Sequence, residues 1–418
     1  MATRYRVRPN GPLSGRVTVS GATKNAGTKQ MAAALLAPGI TTLRNMPYVL
    51  DLEVMIDLLR AIGARVEVRD DEVVIDASGE LTPEAPYELV SRMRASFNVL
   101  GPLLARTGSA RVALPGGDNI GSRKVDMHLR GLEAMGAHID VQHGLVEARA
   151  DGLYGARLVL EFPSVGATEN LMCAAVLAKG TTVIENAARE PEVTDLAAFL
   201  DRMGAQVVGA GTSTVEIEGV DTLSAVDSEI MADRIEGGTL LMACGIAGGE
   251  VELVGTRLEH VEIVAMKLCE MGMRISPTPD GLWAMSSKRL RAVDIATLPH
   301  PGFATDFMPM AVALLAAGEG SAIVTENIYD GRFQFVDELA RMGADVRTEG
   351  RHAVVRGGAA LSGAPVAASD VRAGAALVLA GLVAEGETVV HECQHIDRGY
   401  HDLPGTLRAL GADVERLA

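Results

Sequence analysis

Apolar positions along the chain fall into two recurring patterns. The first is a leucine-containing helical turn that stops at a glycine and passes through a small or apolar residue into a strand. It occurs six times, as LRAIGARVEV, LEAMGAHIDV, LDRMGAQVVG, LCEMGMRISP, LARMGADVRT and LRALGADVER. The glycines are Gly63, Gly136, Gly204, Gly272, Gly343 and Gly411, spaced 73, 68, 68, 71 and 68 residues apart, a period of about 70. Glycine closes a helix in the left-handed region without a Cβ penalty, so each is expected to be a helix C-cap. The second pattern is a helix of small and apolar residues that runs into glycine and a β-branched strand. It reads MAAALLAPGITTLRN, MCAAVLAKGTTVIEN, AVALLAAGEGSAIVTEN and LVLAGLVAEGETVVHE, with GPLLARTGSARVAL and LMACGIAGGEVEL as variants. A helix that is apolar all round is a buried one.

Each unit is therefore expected to run strand, buried helix, strand, amphipathic helix, strand. About 70 residues cannot bury both faces of such a unit well, so units should share cores. The expected architecture is α/β: two domains of three repeats each, with the small-residue helices central and the sheets outside. A six-unit solenoid is the competing arrangement, but neither terminal unit shows the polar cap a solenoid needs.

Composition narrows the function. The 418 residues carry a formal net charge of −16, which argues against a general nucleic-acid binder. Local arginines can still override that mean charge for a small anionic ligand. Aromatic residues are 3% of the chain, so the core must be aliphatic. The four cysteines, Cys173, Cys244, Cys269 and Cys393, lie far apart and form no CxxC pair, against structural zinc and a disulfide framework. The start MATRYRVRPN lacks the apolar core of a signal peptide, and no uncharged apolar run reaches spanning length. A cytoplasmic location with no membrane partner is expected.

Candidate chemistry gathers at the starts of the buried helices. Polar groups stand there in every repeat: Lys24 and Asn25, Arg94 and Ser96, the stretch 164–170, Asp233 and Arg234, Thr305 and Asp306, Asp370 and Arg372. Ordinary N-capping accounts for the Ser, Thr and Asp residues. It does not account for Lys24, Arg94, Arg234 and Arg372, because cations oppose the helix dipole at that end. A bound anion would reconcile amides and cations, and N-termini pointing the same way would face one cleft. Arg123, Arg332 and Arg398 stand in loops or strand ends and are further candidates for gripping an anionic substrate; a single arginine there is usually solvated, and their weight comes from recurrence in the repeat. Asp306 opens a helix and is a candidate general base for a substrate hydroxyl. Asp118 rides on the glycine-rich stretch Leu114–Arg123, LPGGDNIGSR, which is expected to be a mobile lid. It is a candidate general acid, although neighbouring arginines would oppose its protonation. Asp126 and His128, in KVDMHL, fit structural or ligand-contacting roles better than catalysis.

Six repeats together with SGATKN, RMRAS, LPGGDNIGSRKVDMH, SVGATEN, NAAREPE, ADRIE, FATD and HIDRGY resemble the enolpyruvyl transferases over essentially the whole chain. LPGG-x-x-IGSR with HIDRGY points to the nucleotide-sugar branch rather than the shikimate branch. The resemblance implies two inside-out α/β barrel domains, residues 21–229 and residues 1–20 with 230–418, closing over a cleft. It implies transfer of the enolpyruvyl group of phosphoenolpyruvate to the 3-hydroxyl of UDP-N-acetylglucosamine through a tetrahedral ketal, with no metal and no cofactor. Carried over by position, Lys24, Arg94, Arg123 and Arg398 look like phosphoenolpyruvate and phosphate contacts. Asn25 and Asp306 look like neighbours of the reacting hydroxyl, with Asp306 as base. Arg123, Lys124 and Val125, then Ser164, Val165 and Gly166, and Ile328 match nucleotide-sugar contacts. Asp370, Val371 and Arg372 look like a group that senses substrate. Asp118 stands where cysteine is usual and can serve as the acid. Thr23, Asn98, Lys124, Ala304 and Gly331 also depart from the common pattern. They leave two alternatives open: a paralogue acting on a nucleotide such as UMP, or a non-catalytic nucleotide-sugar-binding homologue.

Overall fold

The computed structural model describes residues 3–117, 120–121, 124–287 and 289–417. Its elements follow the six-fold repeat with one addition. The second repeat shows the plan: strand Glu84–Ala85, buried helix Leu100–Thr107, strand Ser109–Ala113, amphipathic helix Asp126–Ala134, then the strands His138–Gln142 and Leu145–Arg149. The first two strands pair in parallel, and the last lies antiparallel between Ser109–Ala113 and His138–Gln142. The sequence pattern accounts for one strand after the amphipathic helix; the structure has a hairpin there. Tight turns make it possible, with Asp70 and His143 at φ of 52° and 51° in the first two repeats. Among the described residues there are six sheets, each of four strands in this same order.

Three strands complete repeats to which they do not belong in sequence. Asp227–Glu229 is the parallel edge beside Ile40–Arg44 of the first repeat. Leu13–Thr18 is the parallel edge beside Gly249–Val254 of the fourth. Arg4–Arg8 lies antiparallel between Thr388–His391 and Asp413–Leu417 of the sixth. The chain divides accordingly into two compact units, one of residues 21–117 and 124–231, the other of residues 3–20, 120–121 and 232–417. The chain passes between them at Ser20–Gly21 and at Met231–Ala232, and also on either side of residues 120–121.

Each unit has its own aliphatic core. In the first, Leu35, Met55, Leu104, Leu171 and Leu200 are fully enclosed; in the second, Leu240, Leu314, Leu379 and Val390 are. Every residue of the helix Val371–Gly381 is buried, and it packs beside the buried helices Met308–Ala317 and Arg234–Ala247. Small residues allow that close approach. Strands present one face to these helices, as in Thr214–Glu218, where only Val215 and Ile217 are buried. All six repeat glycines have positive φ, between 88° and 118°, as expected of helix C-caps.

Candidate active site

In the second unit three helix starts converge. Asp233 caps the helix Arg234–Ala247 by accepting the Ile235 N–H at 2.7 Å. Asp370 caps Val371–Gly381, accepting from Arg372 N and Ala373 N at 2.8 and 3.0 Å. The third start, a tight turn over Thr305–Phe307 before the helix Met308–Ala317, has no side-chain cap. Thr305 instead donates its hydroxyl to Glu326 Oε2 at 2.7 Å and accepts from Arg332 Nη1 at 2.7 Å.

That frees the adjacent Asp306 to face two guanidinium groups. Arg332 Nη2 donates to its Oδ1 at 2.9 Å, and Arg372 Nε lies 3.7 Å from the same atom. Both arginines are buried, whereas about a third (35%) of the Asp306 side chain is exposed. Burial alone would push the Asp306 carboxyl up; Arg372, Arg332 and Arg234 outweigh it and hold the group well below the usual carboxylate range. The Arg372 guanidinium also sits 5.1 Å from the Tyr400 ring centre. Arg332 Nε and Arg372 Nη1 remain buried donors without a partner among the described residues. Arg332, a candidate for substrate binding, is 4% exposed, with the Asp306 carboxylate, the Thr305 hydroxyl and the Tyr329 ring, 5.6 Å from its guanidinium carbon, in place of water around it. The cations at these helix starts are balanced first by acidic side chains of their own unit, before any ligand.

Glu326 was not legible as a site residue. It is 1% exposed and gathers the N–H groups of Ile328 and Tyr329 at 2.7 and 3.1 Å, together with the Thr297 and Thr305 hydroxyls. It therefore fixes the loop bearing Ile328 and, through Thr305, the Arg332 side chain. Arg398 follows the short helix Gln394–Asp397. Its neighbour Asp397 is gripped by Arg416 through two bonds of 2.8 Å and by the Tyr5 hydroxyl, which ties that turn to the strand Arg4–Arg8.

In the first unit Lys24 lies in a wide helical turn, Thr23–Gly27. Its ammonium pairs with the buried Asp51 carboxylate of the helix Leu50–Ile62. Asp51 thus supplies Lys24 with a counter-charge from within its own unit. The Asn25 side-chain amide has no hydrogen bond among the described residues and is half-buried. Arg94 opens the turn Arg94–Val99, and its Nη2 donates to the Lys124 carbonyl at 3.0 Å. Val125 precedes the helix Asp126–Ala134 and accepts the His128 N–H at 3.0 Å. Asp126 pairs with Arg130 one turn along its own helix at 3.4 Å.

Ser164 caps the helix Val165–Ala175, accepting from Ala167 N at 3.3 Å, so Val165 and Gly166 form its first turn. The polar cluster continues inward. Glu169 and Asn170 are each 1% exposed, with Asn98 Nδ2 donating to Glu169 Oε2 at 3.0 Å. Burial pushes the Glu169 carboxyl up to about 7 despite nearby Lys29. Burial, then the Arg94 charge, pushes the His128 imidazole down to about 3, so it is neutral. Asp118 and Arg123 lie outside the described residues. Among the described residues no group of three or more His, Cys, Asp or Glu side chains could hold a metal ion, and no helix is long and apolar enough to cross a membrane.

Residues 7–407 match the family described as EPSP synthase (3-phosphoshikimate 1-carboxyvinyltransferase). A UDP-N-acetylglucosamine 1-carboxyvinyltransferase of Corynebacterium jeikeium is 51% identical over 405 residues, 97% of either chain. One of Mycobacterium tuberculosis is 49% identical over 417 residues, 100% of each. Among solved structures, the enolpyruvyl transferase NikO from Streptomyces tendae superposes with a TM-score of 0.88 at 26% identity, covering 100% of this chain and 99% of that one. An EPSP synthase from Acinetobacter baumannii shares the fold, with a TM-score of 0.76 at 18% identity over the full length of both. With a family match spanning nearly all of its length and full-length relatives at about half identity, the chain belongs to the EPSP synthase family of enolpyruvyl transferases.

Proposed function

We propose that the protein transfers the enolpyruvyl group of phosphoenolpyruvate to the 3-hydroxyl of UDP-N-acetylglucosamine, releasing phosphate, as the first committed step of peptidoglycan synthesis. The observation that carries the chemistry is the Asp306 carboxylate held at 2.9 Å by Arg332 with Arg372 behind it, both arginines buried and each retaining an unused donor. Two buried guanidinium groups beside one carboxylate suit an anionic substrate whose neighbour must lose a proton. The identity and full coverage of the two carboxyvinyltransferases favour the nucleotide sugar over UMP as acceptor.

In the addition step the 3-oxygen bonds to C2 of phosphoenolpyruvate while C3 gains a proton. In the elimination step a proton leaves that C3 methyl and the C2–O bond to phosphate breaks. Asp306 takes the hydroxyl proton, and Asp118 is the acid toward C3. Asp306 free of substrate is ionised but weakly basic, because three arginines favour its charged form. A substrate carboxylate or phosphate arriving at Arg332 and Arg372 neutralises part of that field, and Asp306 becomes a better base as the substrate binds. Lys24, Arg94, Arg123 and Arg398 hold the phosphate and carboxylate. Lys124, Val125, Ser164 to Gly166 and Ile328 hold the nucleotide sugar.

The test is phosphate release from phosphoenolpyruvate with UDP-N-acetylglucosamine and with UMP, side by side. Release with the nucleotide sugar, falling about 100-fold or more in Asp306→Asn, is expected. Release with UMP alone, or an Asp306→Asn variant of full activity, overturns the reading.

A further inference from the structure

Three buried polar groups in the first unit form a chain whose directions are fixed at one end. The Gly101 backbone N–H can only donate, and it meets Asn170 Oδ1 at 2.7 Å. The Asn170 amide nitrogen is therefore the atom that meets His128 Nδ1, at 2.9 Å. An amide nitrogen also only donates, so Nδ1 must accept. A neutral imidazole that accepts at Nδ1 carries its proton on Nε2.

The ring is fixed in place as well as in tautomer. His128 is 5% exposed, and Phe97 meets it edge-on at 5.2 Å between centroids. Nε2 has no hydrogen-bond partner among the described residues. The Cε1–Nε2 edge faces Gly166 in the first turn after the Ser164 cap, where a Cβ would lie 3.4 and 3.5 Å from those two atoms. Glycine at 166 leaves this edge open. The side chain that sets the ring is thus one turn deeper in the same helix whose first turn the ring faces.

We propose that Asn170 is a positioning residue that holds His128 as its Nε2–H tautomer, so that the ring offers a neutral directed donor to an oxygen of the nucleotide-sugar acceptor at the first turn of the helix Val165–Ala175. The identity of that oxygen-bearing ligand rests on the function proposed above; the tautomer does not. A histidine that merely fills the core would give neither a defined Nε2–H signal dependent on Asn170 nor a selective effect on acceptor binding.

Asn170→Asp is close to isosteric. Its Oδ1 still accepts from Gly101, but the other oxygen can only accept, which draws the ring proton to Nδ1. In protein labelled with 15N-histidine, the ring-nitrogen spectrum of the wild type is expected to show protonated Nε2 and bare Nδ1, and the variant the reverse. KM for UDP-N-acetylglucosamine should rise about tenfold with kcat nearly unchanged, the effect of one lost hydrogen bond. Should Asn170→Asp not fold, two substitutions of the ring itself carry the test. His128→Gln places an amide N–H near the Nε2 position and should keep KM low, whereas His128→Leu should not. Protonated Nδ1 in the wild type overturns the proposal. So does an unchanged KM when the tautomer has switched, or equal KM values for the Gln and Leu variants. Wild-type protein that shows the Nε2–H signal but turns over no nucleotide sugar overturns the proposed acceptor and leaves the tautomer assignment standing.

Discussion

Replacing Glu169 by glutamine should change how the stability of the first unit depends on pH. The carboxyl is 1% exposed, and burial moves it from its ordinary 4.5 to about 7. Between those values the folded chain keeps a proton that the unfolded chain has released. Stability therefore falls as pH rises: the contribution is complete below about 4.5 and gone above about 7. At about 1.4 kcal/mol per pH unit, the difference amounts to about 3 kcal/mol. His128 acts in the opposite sense, because it stays neutral down to about 3 while the unfolded ring protonates near 6.5; that contribution is lost as pH falls through this window. The wild-type curve mixes the two, so the informative quantity is the difference between Glu169→Gln and wild type. Glutamine keeps an acceptor for Asn98 and has nothing to ionise. The difference should grow in favour of the variant by about 3 kcal/mol between pH 4.5 and pH 8. Fluorescence is the wrong probe, since the single tryptophan, Trp283, lies in the strand Gly281–Ser286 of the other unit. Hydrogen exchange of the helix Val165–Ala175, corrected for intrinsic rates, reads the right unit and should register about a 100-fold relative change in protection. Parallel pH profiles for the two proteins would refute the reasoning and place Glu169 as ionised throughout.

Gly204→Ala isolates the backbone requirement of a repeat C-cap, because φ there is 105° and an added Cβ meets nothing within 4 Å. A loss of about 1–2 kcal/mol by urea unfolding is expected, and unchanged stability would contradict the left-handed cap. Asp118 offers no thiol for the thioether that fosfomycin forms with cysteine enzymes. Intact mass after incubation with the drug should be unchanged, and turnover unaffected; an adduct on this chain would contradict that.

The repeat was legible because its signals are local. A glycine after a leucine-bearing turn and a helix without a polar face each report on their own few residues, and Gly63 to Gly411 all adopt the conformation their spacing suggests. The hairpin closing each repeat was less legible, since turns at Asp70 and His143 resemble ordinary polar loop residues. The borrowed strands Arg4–Arg8, Leu13–Thr18 and Asp227–Glu229 follow from long-range pairing that a single sequence does not encode visibly. In the site, the helix starts could be read but their counter-charges could not. Asp51 looks like any first-turn acid of an amphipathic helix, yet it holds Lys24. Glu326 looks like a strand-end carboxylate, yet four donors converge on it. Glu169 and Asn170 merge in sequence with the capping residues before them, although they stand a turn deeper. Burial separates these groups from solvated look-alikes, and burial depends on the whole fold.

The borrowed strand of the sixth repeat has a consequence for biosynthesis. Among the described residues, Arg4–Arg8 pairs with Thr388–His391 and Asp413–Leu417, which leave the ribosome almost 400 residues later. At about 5–20 residues per second, that segment waits some tens of seconds with both edges unpaired. Every pairing partner of the first unit is available once Met231 has emerged, so it can close while the other half is still being made. During that interval its unpaired N–H and C=O groups can template pairing with another chain. Its alternation of Arg4, Arg6 and Arg8 with Tyr5 and Val7 places three positive charges along the waiting segment, which discourages premature pairing between nascent chains.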